Sequence, residues 1–157
     1  MPKKPPRSSP EVVASIQDQA ARVREAADEI TKRIEQFQTY LGSLKGRVDT
    51  THFGVHPDHD PYDPQDQVEL AVRLHRQDKA WLLSWGNYHP AYDDRPINWQ
   101  PLTEAPLKIK IAAVRMFPDL LEAIEKSQVR LAEAIEEATG EFDAFAKTLA
   151  ANERERA

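Results

Sequence analysis

Three of the chain's five histidines fall within residues 52–59, in the run His52-Phe-Gly-Val-His56-Pro-Asp-His59-Asp60-Pro-Tyr-Asp63-Pro-Gln-Asp66. Imidazole and carboxylate together suit zinc, iron, nickel or manganese, and a metal-bound water could serve as a nucleophile. The candidate ligands are His52, His56, His59 and Asp60. Spacing weighs against a site. Residues 56–66 hold three prolines, and no H-E-x-x-H pairing sets two imidazoles on one helical face. The favoured reading is an exposed, acidic, proline-rich loop between two strands, with a metal-dependent enzyme or metal-binding protein as the alternative.

A second group, Tyr88, Tyr92, Arg95 and Trp99, surrounds a loop that also carries His89, Asp93 and Asp94. Tyrosine, tryptophan and arginine anchor protein interfaces, because each covers a large area while keeping a polar handle. Either 86–99 is an interaction patch, or the loop tucks Tyr88 and Trp99 under a sheet. Other chemistry has no foothold. The five glycines form neither G-x-G-x-x-G nor a P-loop, and no G-x-S-x-G elbow marks Ser84 or Ser127 as a nucleophile. Glu122, Glu125, Glu136 and Glu137 read as solvated helix faces. No catalytic residue, cofactor or small-molecule substrate is expected.

Composition narrows the partners. Net charge is −5, and only the first ten residues are basic, through Lys3, Lys4 and Arg7. A nucleic-acid binder needs a basic face, so nucleic acid is not expected as the main partner. A small mobile-element regulator with a basic tail is the weaker alternative. With no cysteine there is no disulfide framework, thiolate site or cysteine nucleophile, which fits a reducing cytoplasm. No apolar run of about 18 residues exists to span a bilayer, and the N-terminus lacks the apolar core of a signal peptide. A cytoplasmic protein acting through a protein partner or as a homodimer is the expectation.

The elements that would position these residues are two helices flanking a sheet. Residues 1–8 read as a disordered basic, proline-rich tail, and 9–157 as one domain. Ser9 is the expected N-cap of a helix over 9–42, with Pro10 in its first turn. Val13, Ile16, Ala20, Val23, Ala27, Ile30, Ile34, Phe37 and Leu41 then recur at alternating steps of three and four. That is a heptad stripe, with Gly42 placed to cap it. An equally long stripe runs through Leu121, Ile124, Gln128, Leu131, Ile135, Ala138, Phe142, Phe145 and Leu149. It belongs to a helix over 106–151 that Pro118 should kink. Gln128 puts an amide on the seam, where one polar partner could fix register, and Gly140 suggests a bend or a close helix approach. Equal stripes at the two ends predict an antiparallel, coiled-coil-like helical hairpin, with Val13 near Leu149 and Leu41 near Leu121.

Between the helices, 47–103 reads as a small antiparallel sheet of three or four strands. Val68, Leu70, Val72 and Leu74 alternate with Glu69, Ala71 and Arg73, and Trp81, Leu83 and Trp85 alternate with Leu82 and Ser84. Gln77-Asp78-Lys79 is the turn between them. The fold class is therefore α+β, a sheet inserted between two long helices. Trp81-Leu-Leu-Ser-Trp85, then Trp99-Gln-Pro-Leu102, Ala105-Pro-Leu and Ala113-x-x-x-Phe-Pro-Asp-Leu-Leu-Glu-Ala123, resembles a pattern of small uncharacterised bacterial proteins. In those, a Trp-containing strand pair leads through an "AP" turn into an "A-x-x-x-LP-x-LL-x-A" helix. The match spans about a quarter of the chain and has Phe117 where the pattern has Leu. It implies a strand-to-helix connection and a bacterial origin, and brings no catalytic residue. The reading is a non-catalytic interaction, scaffold or accessory protein.

Overall fold

A computed structural model describes residues 2–60, 62–63, 67–92 and 94–157. The first helix, α1, is Ser9–Ser43. Its cap is Ser8, one residue earlier than expected. The Ser8 hydroxyl accepts from the Glu11 N–H while the Glu11 carboxylate accepts from the Ser8 N–H. Only Ser8 has a glutamate three residues on, so only it can complete this reciprocal pair. At the other end Gly42 stays helical, and Gly46 takes the left-handed turn at φ 70.

Three full strands follow, β1 (Thr50–Val55), β2 (Glu69–Gln77) and β3 (Ala80–Tyr88), with a two-residue β4 (Gln100–Pro101). They form an antiparallel meander in the order β1-β2-β3-β4. The β2–β3 turn is made by Asp78 and Lys79. Asp78 adopts φ 55, which its short polar side chain tolerates. Period-two alternation puts Leu70, Val72 and Leu74 on one face, opposite Gly54, His52 and Thr50 on one side and Asn87, Trp85 and Leu83 on the other. A helix pair covers that face. The core joins Ile34 and Leu41 of α1 to Leu70, Val72, Leu74 and Leu83 of the sheet. Ile109, Ala113, Met116, Leu120 and Ile124 of α2 (Leu107–Arg156) complete it. Burying such a side chain contributes roughly 1.5–3 kcal/mol. α2 runs without a break through Pro118.

The two helices are parallel over the sheet. Thr31 meets Lys110 in a 2.8 Å hydrogen bond, and Phe37 stacks on Phe117 with ring centroids 4.2 Å apart. Later in both chains, Gln128 Nε2 donates to the Gly46 carbonyl at 2.8 Å. The partners ascend together, so the expected antiparallel hairpin does not close within the chain. Strand parity is the reason. α1 delivers the chain to one end of the sheet, three full strands return it to the other, and β4 is too short to bring it back. α2 must therefore start beside the middle of α1 and run the same way.

On the outer face of the sheet, β3 is covered at Gly86 by Ile97 and Asn98, shortly before β4. Ile97 lies over Gly86 so closely that a Cβ there would fall 2.3 Å from Ile97 Cγ2 and 3.1 Å from the Asn98 carbonyl. Gly86→Ala is therefore expected to cost about 1–3 kcal/mol by overpacking, read as a lower urea midpoint. An unchanged midpoint would show that this segment is not held down.

Candidate interaction surface

The structure disperses the imidazoles of 52–59. His52 sits on the helix-facing side of β1, 3.9 Å from the Asp119 carboxylate of α2. His56 is buried past the end of β1. Its Nδ1 accepts from the Asp58 N–H at 3.1 Å, so Nε2 carries the proton toward Asn87 Oδ1 at 2.9 Å. Its one lone pair is occupied, which leaves nothing to offer a cation. Asp60 accepts from the Tyr62 N–H in a local turn, and His59 lines a shallow surface recess with Phe53 and Val68. Among the described residues no three imidazole or carboxylate groups converge on a point that could hold a metal. Asp66, from the same run, lies outside the described residues.

The aromatic group is placed differently. Tyr88 packs on Phe53 with centroids 4.7 Å apart, and the Arg73 guanidinium lies 5.4 Å from the Trp99 ring. The first contact joins β1 to β3 across the outer face of the sheet, and the second holds Trp99 against β2. Tyr92 and Arg95 stay exposed and stack on each other at 4.3 Å. Asp93 lies outside the described residues.

Beside Trp99 is a polar group that alternation alone did not single out. Arg73 forks onto Asp49, with Nε donating to Oδ1 at 2.8 Å, and His75 Nε2 shares a 2.7 Å hydrogen bond with the buried Ser84 hydroxyl. Strand register makes both, since Arg73 lies opposite Thr51, which brings Asp49 within its reach, and opposite Ser84, which brings His75 within reach of that hydroxyl. The Asp49 hydrogen bond raises the already high pKa of Arg73. Burial, then the nearby Arg73 charge, pushes the His75 imidazole below its ordinary value, with Asp49 partly opposing. A neutral His75 follows. Because the folded state resists this proton more than the unfolded chain does, stability should fall as pH drops from about 6.5 toward the lowered value. His75→Gln should flatten that acid limb in urea titrations between pH 7.5 and 5. An unchanged slope would assign it to other groups.

Exposed apolar surface is concentrated elsewhere, on the helix segments beyond the sheet. α1 before Ile30 projects from one end of the body and α2 after Ile124 from the other. At about 1.5 Å per residue, 9–29 reaches roughly 30 Å and 125–156 roughly 48 Å. Their stripes continue the faces that bury Ile34 and Leu41, or Leu120 and Ile124, but here no sheet lies beneath them. Ile16 is 62% exposed, Val23 55%, Phe142 65% and Phe145 58%. A Cβ on Gly140 would touch nothing within 4 Å, so this glycine serves no close approach inside the chain. Among the described residues no helix is long and apolar enough to cross a membrane. No protein-family model, curated protein or solved structure matches the chain, so its function has to be read from this geometry.

Proposed function

We propose that this chain is a non-catalytic assembly protein, a small α+β body that holds two helical arms out in opposite directions for pairing with other protein chains. The observation that carries this reading is the pair of heptad stripes left open on the arms, with Phe142 65% and Ile16 62% exposed. A soluble helix keeps its apolar stripe against a core, and a contiguous exposed stripe marks an interaction surface. An isolated helix is also marginal in water, so a partner on the stripe would stabilise the arm that binds it. A photo-crosslinking residue placed in vivo at Phe142 or Ile16 should capture protein, whereas one at Glu137, on the polar side of α2, should not. Capture no greater at the two stripes than at Glu137 would end this reading.

A further inference from the structure

The α2 arm is complementary to a reversed copy of itself. Its seam alternates Gln128, Ile135, Phe142 and Leu149 at one heptad position with Leu131, Ala138, Phe145 and Asn152 at the other. In an antiparallel pair these two positions face each other across the interface. Setting Gln128 against Asn152 of a second copy also sets Leu131 against Leu149, Ile135 against Phe145, and Ala138 against Phe142. The amides then meet each other, and the small Ala138 receives the bulky Phe142. Sliding by one heptad puts Gln128 against Phe145, or Asn152 against Ile135, which strands an amide on an apolar side chain. Pairing with the α1 arm is poorer. There an antiparallel register that sets Asn152 against Val13 sets Gln128 against Phe37, so both amides meet apolar side chains.

The flanks of the seam agree. Ala132, Ala134, Thr139, Ala146 and Thr148 are small and uncharged, with Glu141 the exception. Thr139 Oγ1 donates to the Ile135 carbonyl at 2.8 Å, and Thr148 Oγ1 to the Ala144 carbonyl at 3.1 Å. Both hydroxyls are satisfied inside the helix, so these positions need no polar partner. At the root of the arm, Gly46, Val48, Gln128, Leu131, Ala132 and Ile135 line a recess of about 220 Å³. Gln128 Nε2 is spent on the Gly46 carbonyl, which leaves Oε1 to accept from an amide.

We infer that two copies of this chain pair through their α2 arms, antiparallel, about a two-fold axis beside residue 140. The tip of each arm reaches the recess at the root of the other. This deepens the assembly reading and rests on it. The dimer holds two bodies apart and leaves both α1 arms at its far ends.

The chain has no cysteine, so single introduced thiols report register directly. Leu131→Cys and Leu149→Cys change half-exposed arm positions that the body's core does not use. On mild oxidation of the full-length protein, each variant alone should stay uncrosslinked, and an equimolar mixture should give a disulfide-linked heterodimer. Sedimentation of the unmodified protein should give a dimer that Phe142→Asp converts to monomer, with the body's tryptophan fluorescence unchanged. Three results overturn the inference: a strict monomer, self-crosslinking of each single variant (a parallel pair), or crosslinking of Phe145→Cys to Ala20→Cys (an α1 partner). A monomer whose Phe142 position still captures another protein in vivo removes the second copy and leaves the assembly reading standing. Capture at neither arm removes both.

Discussion

Leu74→Ala is expected to lower the stability of the body by about 2–5 kcal/mol, whereas Phe142→Ala, which deletes more apolar surface, should change it by less than about 0.5 kcal/mol. Leu74 is 1% exposed and lies in the sheet row between Thr50 and Leu83, within the core that also takes in Leu41 and Ile124. Removing its isobutyl group leaves a cavity that two helices and a sheet cannot easily collapse. Phe142 has water on most of its ring, so its loss leaves no cavity. The measurement is the urea midpoint followed by tryptophan fluorescence. Trp81, Trp85 and Trp99 all belong to the body, and the protein is kept dilute enough that association does not contribute. Equal losses for the two variants would mean that the α2 stripe is packed within the chain, contrary to the parallel arrangement of the helices.

Pro118→Ala should raise stability, by about 2 kcal/mol. Proline inside a helix forfeits the hydrogen bond to the carbonyl four residues earlier, here Val114, and its ring crowds that carbonyl, which costs about 3 kcal/mol. Proline also restricts the unfolded chain, which offsets about 0.4–1 kcal/mol of that cost. The ring is exposed, so alanine sacrifices no packing. Calorimetry of the variant gives the sign directly. A destabilised Pro118→Ala would mean that a bend at this residue seats Phe117 on Phe37 and Leu120 in the core, and that the proline is part of the packing.

These two residues also show how far local pattern reached. Leu74 was legible as a core position because strand alternation is a strict period of two, and it shares its face with the buried Leu70 and Val72. The long second helix was legible from its stripe after Leu121, and Pro118, where a kink was expected, stays inside one helix from Leu107 to Arg156. The cap on α1 moved by one residue because a capping box depends on a partner three positions later, and Ser8 rather than Ser9 has Glu11. The histidine run is different. Composition places three imidazoles close together in sequence, but β-strand geometry sends His52 toward Asp119 and a turn binds His56 to the Asp58 N–H. Sequence proximity carries no direction, and ligation depends on direction.

The Arg73–Asp49 fork and the His75–Ser84 hydrogen bond needed the register of the strands, which no local signal prints. Loop 89–99 needed more still. Tyr88 and Trp99 have the chemistry of interface anchors, and it is Gly86, by admitting Ile97, that lets the chain just before Trp99 close onto β3.

By itself the sequence determined which residues are greasy, at what period, and how long each stripe runs. That was enough for two long helices, an antiparallel sheet between them and the strand residues of the body's core. What only the tertiary structure decided was the direction of one helix relative to the other. That direction follows from how many strands traverse the sheet in full, and the sequence left it open whether a stretch as short as Gln100–Pro101 makes a crossing. With three crossings the helices run parallel, the body covers only their overlapping thirds, and the rest of each stripe faces water.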